Sequence, residues 1–142
     1  MNWYMEVLRK FAQFDGRARR QEYWMFALFN ILIYFALALV GGVIGALFAR
    51  GSDNPAIAII FMAPAWLYIV AMIVPSLAVT VRRLHDTGRS GWWILIGLVP
   101  FVGGIILLVF YCTDSQPGPN EFGPNPKEIQ AYGQIPPPVP GY

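Results

Sequence analysis

The sequence predicts an all-α membrane protein, with three transmembrane helices preceded by an amphipathic interfacial helix and followed by a Pro-rich irregular C-terminal tail. Of its 142 residues, 56% are hydrophobic and only 13% are charged, whereas soluble domains carry about 25% charged residues. The apolar residues fall into three long stretches of the length that spans a bilayer, about 20 residues. The net charge of +2 is too small for a nucleic-acid-binding domain, and a single cysteine excludes a disulfide framework.

Residues 1–14 are predicted to form an amphipathic helix at the membrane interface. Trp3, Val7 and Phe11 recur at helical spacing, and Arg9 falls on the other face. Aromatic side chains opposite a basic face suit the boundary between headgroups and hydrocarbon. Packing of the same apolar face against the membrane helices is the alternative.

The three-helix transmembrane domain is predicted over residues 15–112, with spans at about 23–48, 56–81 and 92–111. These spans contain no Asp, Glu, Lys, Arg or His. Transporters and proton relays usually carry ionisable residues inside the membrane, so the pattern argues against an autonomous ion or proton carrier. A pore formed by several copies and lined by backbone or aromatic groups stays open.

The distribution of basic residues predicts the orientation. Of the ten Lys and Arg, five precede the first span and three lie between the second and third spans. Arg50 and Lys127 fall in the other two segments. Because basic residues collect on the cytoplasmic side, the N-terminus is predicted to be cytoplasmic and the C-terminus to lie outside.

Residues 113–142 are predicted to form the irregular tail, since they contain eight of the twelve prolines. Gly118-Pro119-Asn120 and Gly123-Pro124-Asn125 are typical of successive turns, with Phe122 as an anchor between them. The run IPPPVP beyond them has polyproline character.

Two charged segments flank the spans on the predicted cytoplasmic side and would face each other there. They are FDGRARRQEYW, before the first span, and RRLHDTGRSGWW, before the third. Arginines beside a membrane can bind lipid phosphate, although a topology signal alone also explains them. The candidates for binding a ligand or headgroup are Arg17, Arg20, Glu22, Arg82, Arg83, His85 and Asp86.

His85 and Asp86 are also the only catalytic candidates. A carboxylate can orient an imidazole whose pKa lies near neutrality, as acid–base catalysis requires. Adjacent helical residues point about 100° apart, which favours the alternative, an ion-pair cluster in which Asp86 neutralises an arginine from the 17–20 group. One histidine without nearby cysteines predicts no metal site, and no cofactor is predicted.

Three motifs in this order resemble the family called domain of unknown function 805, which are small bacterial inner-membrane proteins. The motifs are FDGRARRQEYWMF, RRLHDTGRSGWW and GPNEFGPNP, and the resemblance covers about residues 3–127. It implies a bacterial inner-membrane location and brings no established activity. The matching residues are Gly16, Arg17, Arg20, Glu22, Tyr23, Trp24, Arg82, Arg83, Leu84, His85, Asp86, Gly91, Trp92, Trp93, Asn120, Phe122, Gly123 and Pro124.

The sequence therefore favours a non-enzymatic inner-membrane protein that acts through lipid or protein contacts. Membrane lipids with anionic headgroups are the expected partners, together with a second copy of the chain or another membrane protein, and nucleic acid is not expected. One alternative is a component of a transport system or an oligomeric pore. The other is a membrane enzyme that acts on a lipid headgroup through His85 and Asp86.

Overall fold

The structure, a computed structural model, describes residues 2–50, 54 and 56–133, and within them it is helical without strands. The predicted polyproline run lies outside the described residues. The elements are α1 (Asn2–Arg9), α2 (Arg20–Phe48), α3 (Ala56–Asp86), a 3-10 helix (Gly91–Leu98), α4 (Val102–Cys112) and α5 (Pro126–Gly133).

α2 and α3 form an antiparallel pair, and both are long and apolar enough to cross a membrane. Only 11% of the most apolar part of each helix is buried, whereas the core helix of a soluble protein would be mostly buried. Gly41 allows the close approach of the pair, because a Cβ there would lie 2.4 Å from the carbonyl oxygen of Phe61. Gly41 therefore serves packing between these two helices, whereas a Cβ at the neighbouring Gly42 would meet nothing within 4 Å.

The third apolar segment does not form the predicted single helix over residues 92–111. The 3-10 helix ends at Leu98, the chain turns at Pro100-Phe101, and α4 runs back along the first limb. Phe101 has a φ of 63°, in the left-handed region, which permits the reversal. A Cβ at Gly103 would lie 1.8 Å from the carbonyl oxygen of Ile96, so the two limbs are in backbone contact.

Both ends of this hairpin, residues 91–112, lie at one end of the α2–α3 pair. At its start, a Cβ at Gly91 would lie 2.8 Å from the side chain of Val81. At its end, the Tyr111 carbonyl accepts a hydrogen bond from Arg83 at 3.2 Å. The prediction of one continuous helix over residues 92–111 is therefore wrong, because hydropathy alone does not register a reversal at Pro100. The predicted orientation of the two chain ends stays a prediction.

α1 is shorter than the predicted helix over residues 1–14 and packs against the α2–α3 pair. The Tyr4 ring stacks on Phe26 with 5.6 Å between centroids, and its hydroxyl lies 3.3 Å from that of Tyr68. Val7 is fully buried in the same cluster. These contacts agree with the packing alternative for the apolar face of this helix.

The tail is not irregular throughout, because α5 follows the turns of residues 113–125. Asn125 caps this helix, since its side-chain oxygen accepts a hydrogen bond from the Lys127 amide at 3.0 Å. Pro126 then occupies the first helical position, where its missing N–H costs nothing. The prediction of an irregular segment was wrong over residues 126–133, although Asn-Pro is itself a helix-start signal.

Candidate functional site

The fold brings residues 15–22, 82–91 and 113–125 together at one end of the α2–α3 pair, which we call the junction. Its centre is Asp86, the last residue of α3, which is fully buried. One carboxylate oxygen accepts a hydrogen bond from Nε of Arg17 at 3.0 Å. The other accepts from Arg83 and from the Ser115 hydroxyl. The prediction that Asp86 neutralises an arginine of the first charged segment is confirmed.

Arg17 also holds the segment that follows α4. Its Nη1 donates to the carbonyl oxygen of Gly118 at 2.8 Å, and its Nη2 donates to that of Gln116 at 2.5 Å. Arg83 donates in the same way to the carbonyl oxygens of Tyr111 and Thr113. Two buried guanidinium groups thus join the end of the hairpin to α3 and to the segment before α2.

A second buried ion pair joins the first turn of α2 to the last turns of α3. Arg82 Nη1 donates to the Glu22 carboxylate at 2.8 Å, and the side chains are 2% and 5% exposed. The other two guanidinium nitrogens of Arg82 find no acceptor among the residues that the structure describes. Buried charges require a counter-charge, so this pair fixes the two helices in one register.

His85 is held between all three segments of the junction. Its ring stacks on Phe122 with 3.8 Å between centroids and 2° between planes. Its Nδ1 lies 3.2 Å from the Gly16 carbonyl oxygen, and its own carbonyl oxygen accepts from Asn120 at 2.9 Å. Among the described residues, no hydrogen bond joins His85 to Asp86, which favours the ion-pair alternative over an acid–base pair.

Of the seven predicted ligand residues, only Arg20 lies on the surface. The other six are buried in the junction, with exposures between 0% and 9%: Arg17, Glu22, Arg82, Arg83, His85 and Asp86. Apart from two guanidinium nitrogens of Arg82, their charged groups bind one another and the backbone, so the arrangement is that of a structural junction between chain segments. Among the described residues, no group of three or more His, Cys, Asp or Glu could hold a metal ion.

Arg20 lines an open pocket of about 440 Å³ beside the junction. Its other lining residues are Arg19, Gln21, Trp24, Met25, Asp114 and Lys127. Sequence reasoning missed Lys127, because its position on α5 beside α2 depends on the reversal of the hairpin. It also missed Trp24 as a lining residue, although the indole follows Arg20 by one helical turn.

The electrostatics of this pocket are positive. Arg19, Arg20 and Lys127 contribute three cations against the single carboxylate of Asp114. The hydrogen bond from Lys127 lowers the pKa of the Asp114 carboxyl below its ordinary value. The N-terminus of α2 adds positive potential, since its first N–H groups carry no side-chain cap. Such a surface is complementary to an anion.

Residues 11–124 match the family model described as a protein of unknown function, DUF805. The chain belongs to this family. The DUF805 match covers the first two motifs in full and the third as far as Pro124. Trp92 and Trp93, which belong to those motifs, lie on the exposed surface of the hairpin.

Relatives of this DUF805 protein include two inner membrane proteins of Escherichia coli (strain K12). YhaH is 44% identical over 127 residues, which are 89% of this chain and 98% of that protein. YhaI is 44% identical over 128 residues, which are 89% of this chain and 97% of that protein. The uncharacterized protein YiiR is 32% identical over 98 residues, 69% of this chain and 58% of YiiR. No solved structure matches.

These relationships confirm the prediction that the chain belongs to a family of inner-membrane proteins. They assign no molecular activity to it.

Proposed function

We propose that this DUF805 protein is a non-enzymatic inner-membrane protein that binds anionic phospholipid headgroups in the pocket beside Arg20. The observation that carries the proposal is the convergence of Arg19, Arg20 and Lys127 on one open pocket. Trp24, which lines the pocket one helical turn after Arg20, is a residue type that favours the membrane–water interface.

The chemistry of the pocket matches a phosphate group. A guanidinium and an ammonium both donate charge-assisted hydrogen bonds to phosphate oxygens, and a helix N-terminus attracts the negative charge of the phosphate. Trp24 and Met25 provide apolar surface on the side that continues into α2. A phospholipid offers both features in one molecule, an anionic headgroup and acyl chains beside it.

The proposed topology places both described chain ends in the cytoplasm, with α2 and α3 as the spans. Nine of the ten basic residues lie at the junction end of these helices, and Arg50 alone lies at the other end. This asymmetry is larger than the one that a third span would give, and it supports a cytoplasmic junction. The hairpin enters and leaves the membrane on the cytoplasmic side.

We assign no catalytic role to Asp86, and none to the His85–Asp86 pair that would depend on it. Both carboxylate oxygens of Asp86 are occupied by donors of the junction, and its side chain is fully buried. A general acid or base must reach the substrate, which this placement prevents.

The proposed topology predicts that Cys112 is inaccessible from outside the cell. Cys112 is the only cysteine of the chain and is exposed at the end of α4, so it can be labelled without background. In intact spheroplasts, a membrane-impermeant maleimide is expected to leave the protein unlabelled. After permeabilisation of the membrane, the same reagent is expected to label it.

A Cys112→Ser, Asn54→Cys variant provides the control, since Asn54 lies between the two spans and is exposed. It is expected to react in intact spheroplasts. A Cys112→Ser, Glu121→Cys variant places the thiol on the exposed turns beyond α4 and is expected to behave like Cys112. Labelling of Cys112 and of Glu121→Cys from outside would overturn the proposed topology.

Reversing the charge of Arg20 and Lys127 is expected to reduce binding of phosphatidylglycerol at least about tenfold, because two cations near the headgroup are lost. The measurement is native mass spectrometry of the protein in mild detergent, titrated with phosphatidylglycerol or with phosphatidylcholine. Binding of phosphatidylcholine, which carries no net charge, is expected to be weak in both forms.

The matched control is Arg9→Glu, at the last residue of α1, combined with Lys10→Glu, at the residue that follows it. Arg9 is exposed like Arg20, and Lys10 is paired with Glu6 at 2.8 Å much as Lys127 is paired with Asp114. This variant has the same net charge and is expected to keep wild-type binding within a factor of about two. Equal losses in the two variants would mean that diffuse charge, and not the pocket, binds the lipid.

A further inference from the structure

We infer that the chain acts as a wedge in one leaflet of the bilayer, and that it therefore prefers membranes that curve outward on the side of the junction. The inference rests on the proposed topology, in which the hairpin enters and leaves the cytoplasmic leaflet. It concerns the shape of the membrane and is independent of the headgroup pocket.

The length of its limbs sets how deeply the hairpin can enter the membrane. Its limbs have 8 and 11 residues, in a 3-10 helix and an α-helix. At about 2.0 Å and 1.5 Å per residue, each limb is about 16 Å long. The hydrocarbon core is about 30 Å thick, so the tip reaches about its middle.

The hairpin is inserted by its apolar tip. Leu98 and Phe101 are 80% and 91% exposed at the turn, and insertion into hydrocarbon would remove both side chains from water. At the other end, Arg89 lies over the Phe110 ring at 3.9 Å. The charge of Arg89 at the junction end and the apolar side chains at the turn fix the direction and the depth of insertion.

The hairpin packs only beside the junction half of the spans. The rings of Tyr23, near the start of α2, and Tyr111, near the end of α4, lie 4.6 Å apart. At the opposite end of the pair, Phe48 stacks on Phe61 at 5.2 Å. Among the described residues, α2 and α3 alone make up that opposite half.

The consequence is an unequal cross-section. A helix with side chains is about 10–12 Å wide, so two limbs add about 200 Å² to one leaflet and nothing to the other. α1, which packs against Phe26 and Tyr68, adds further area on the same half. Such a shape inserts with least cost where the headgroups of that leaflet are spread apart, on a convex surface.

The test uses the full chain, labelled with a fluorophore at Cys112 and reconstituted into vesicles of phosphatidylethanolamine and phosphatidylglycerol with a broad size distribution. An impermeant quencher then reports, vesicle by vesicle, the fraction of molecules whose junction faces outward. We expect this fraction to rise at least about twofold from the largest to the smallest vesicles.

The Cys112→Ser, Asn54→Cys variant, labelled at residue 54, reports the opposite end of the spans and is expected to show the reverse trend. If the quenched fractions at Cys112 and at residue 54 change with vesicle size in the same direction, the two labels are on the same side of the membrane. The proposed topology then fails, and the wedge fails with it. If the labels report opposite ends but neither depends on vesicle size, the topology stands and the wedge is wrong.

Discussion

Replacing Asp86 by Asn is expected to lower the free energy of unfolding by about 3–5 kcal/mol, the cost of breaking a buried ion pair on one side. Asp86 is fully buried and is shared by Arg17 and Arg83. Without its charge, two guanidinium groups would face each other away from water with only neutral acceptors. Thermal unfolding in detergent, followed by the loss of monodisperse protein, measures the effect.

Asp114→Asn is the matched control for this prediction. Asp114 also forms an ion pair, with Lys127, but its side chain is 62% exposed. Exposed pairs contribute about 0–1 kcal/mol, so this substitution is expected to leave the unfolding temperature nearly unchanged. Similar losses in the two variants would show that the burial of Asp86 does not decide its contribution.

The same comparison distinguishes a structural junction from an enzyme. A catalytic carboxylate is usually replaced by its amide without loss of the fold, because the shape of the side chain is kept. A stable Asp86→Asn protein that has lost a cellular function would therefore revive the acid–base alternative. If the Asp86→Asn protein is instead unstable, the result supports a structural role of Asp86 in joining the chain segments of the junction.

The two spanning helices and the central ion pair could be predicted from the sequence, because each has a local signal. Long apolar stretches predict α2 and α3 directly. The acidic residue of RRLHD needs a basic partner at the same membrane surface, and the first charged segment offers it. That requirement predicts a pair between Asp86 and an arginine of the 17–20 group, and in the structure this arginine is Arg17.

The reversal within the third apolar segment could not be predicted from hydropathy. Residues 92–111 have the length and composition of a span, and their reversal depends on the conformation of Phe101 and on the absence of a Cβ at Gly103. Neither feature changes hydropathy. The stacking of Phe122 on His85 was missed for the same reason, because it requires the end of α4 to return to the junction.

Gly103→Ala is the second substitution for which we expect a large effect. A Cβ at this position would lie 1.8 Å from the carbonyl oxygen of Ile96 and 2.7 Å from its carbonyl carbon. Both are backbone atoms, so the limbs of the hairpin must separate to relieve the overlap. Overpacking costs about 1–3 kcal/mol where side chains can adjust, and we expect the upper end of that range or more, measured as a lowered unfolding temperature.

Gly104→Ala is the control, because a Cβ there meets nothing within 4 Å. Alanine is favoured over glycine inside a helix by about 0.5–1 kcal/mol, so this neighbouring substitution is expected to be neutral or stabilising. In a straight helix over residues 92–111, both glycines would be helix-interior positions and both substitutions would favour the helix. Opposite signs for the two variants would support the hairpin, whereas stabilisation by both substitutions would support a single helix over residues 92–111.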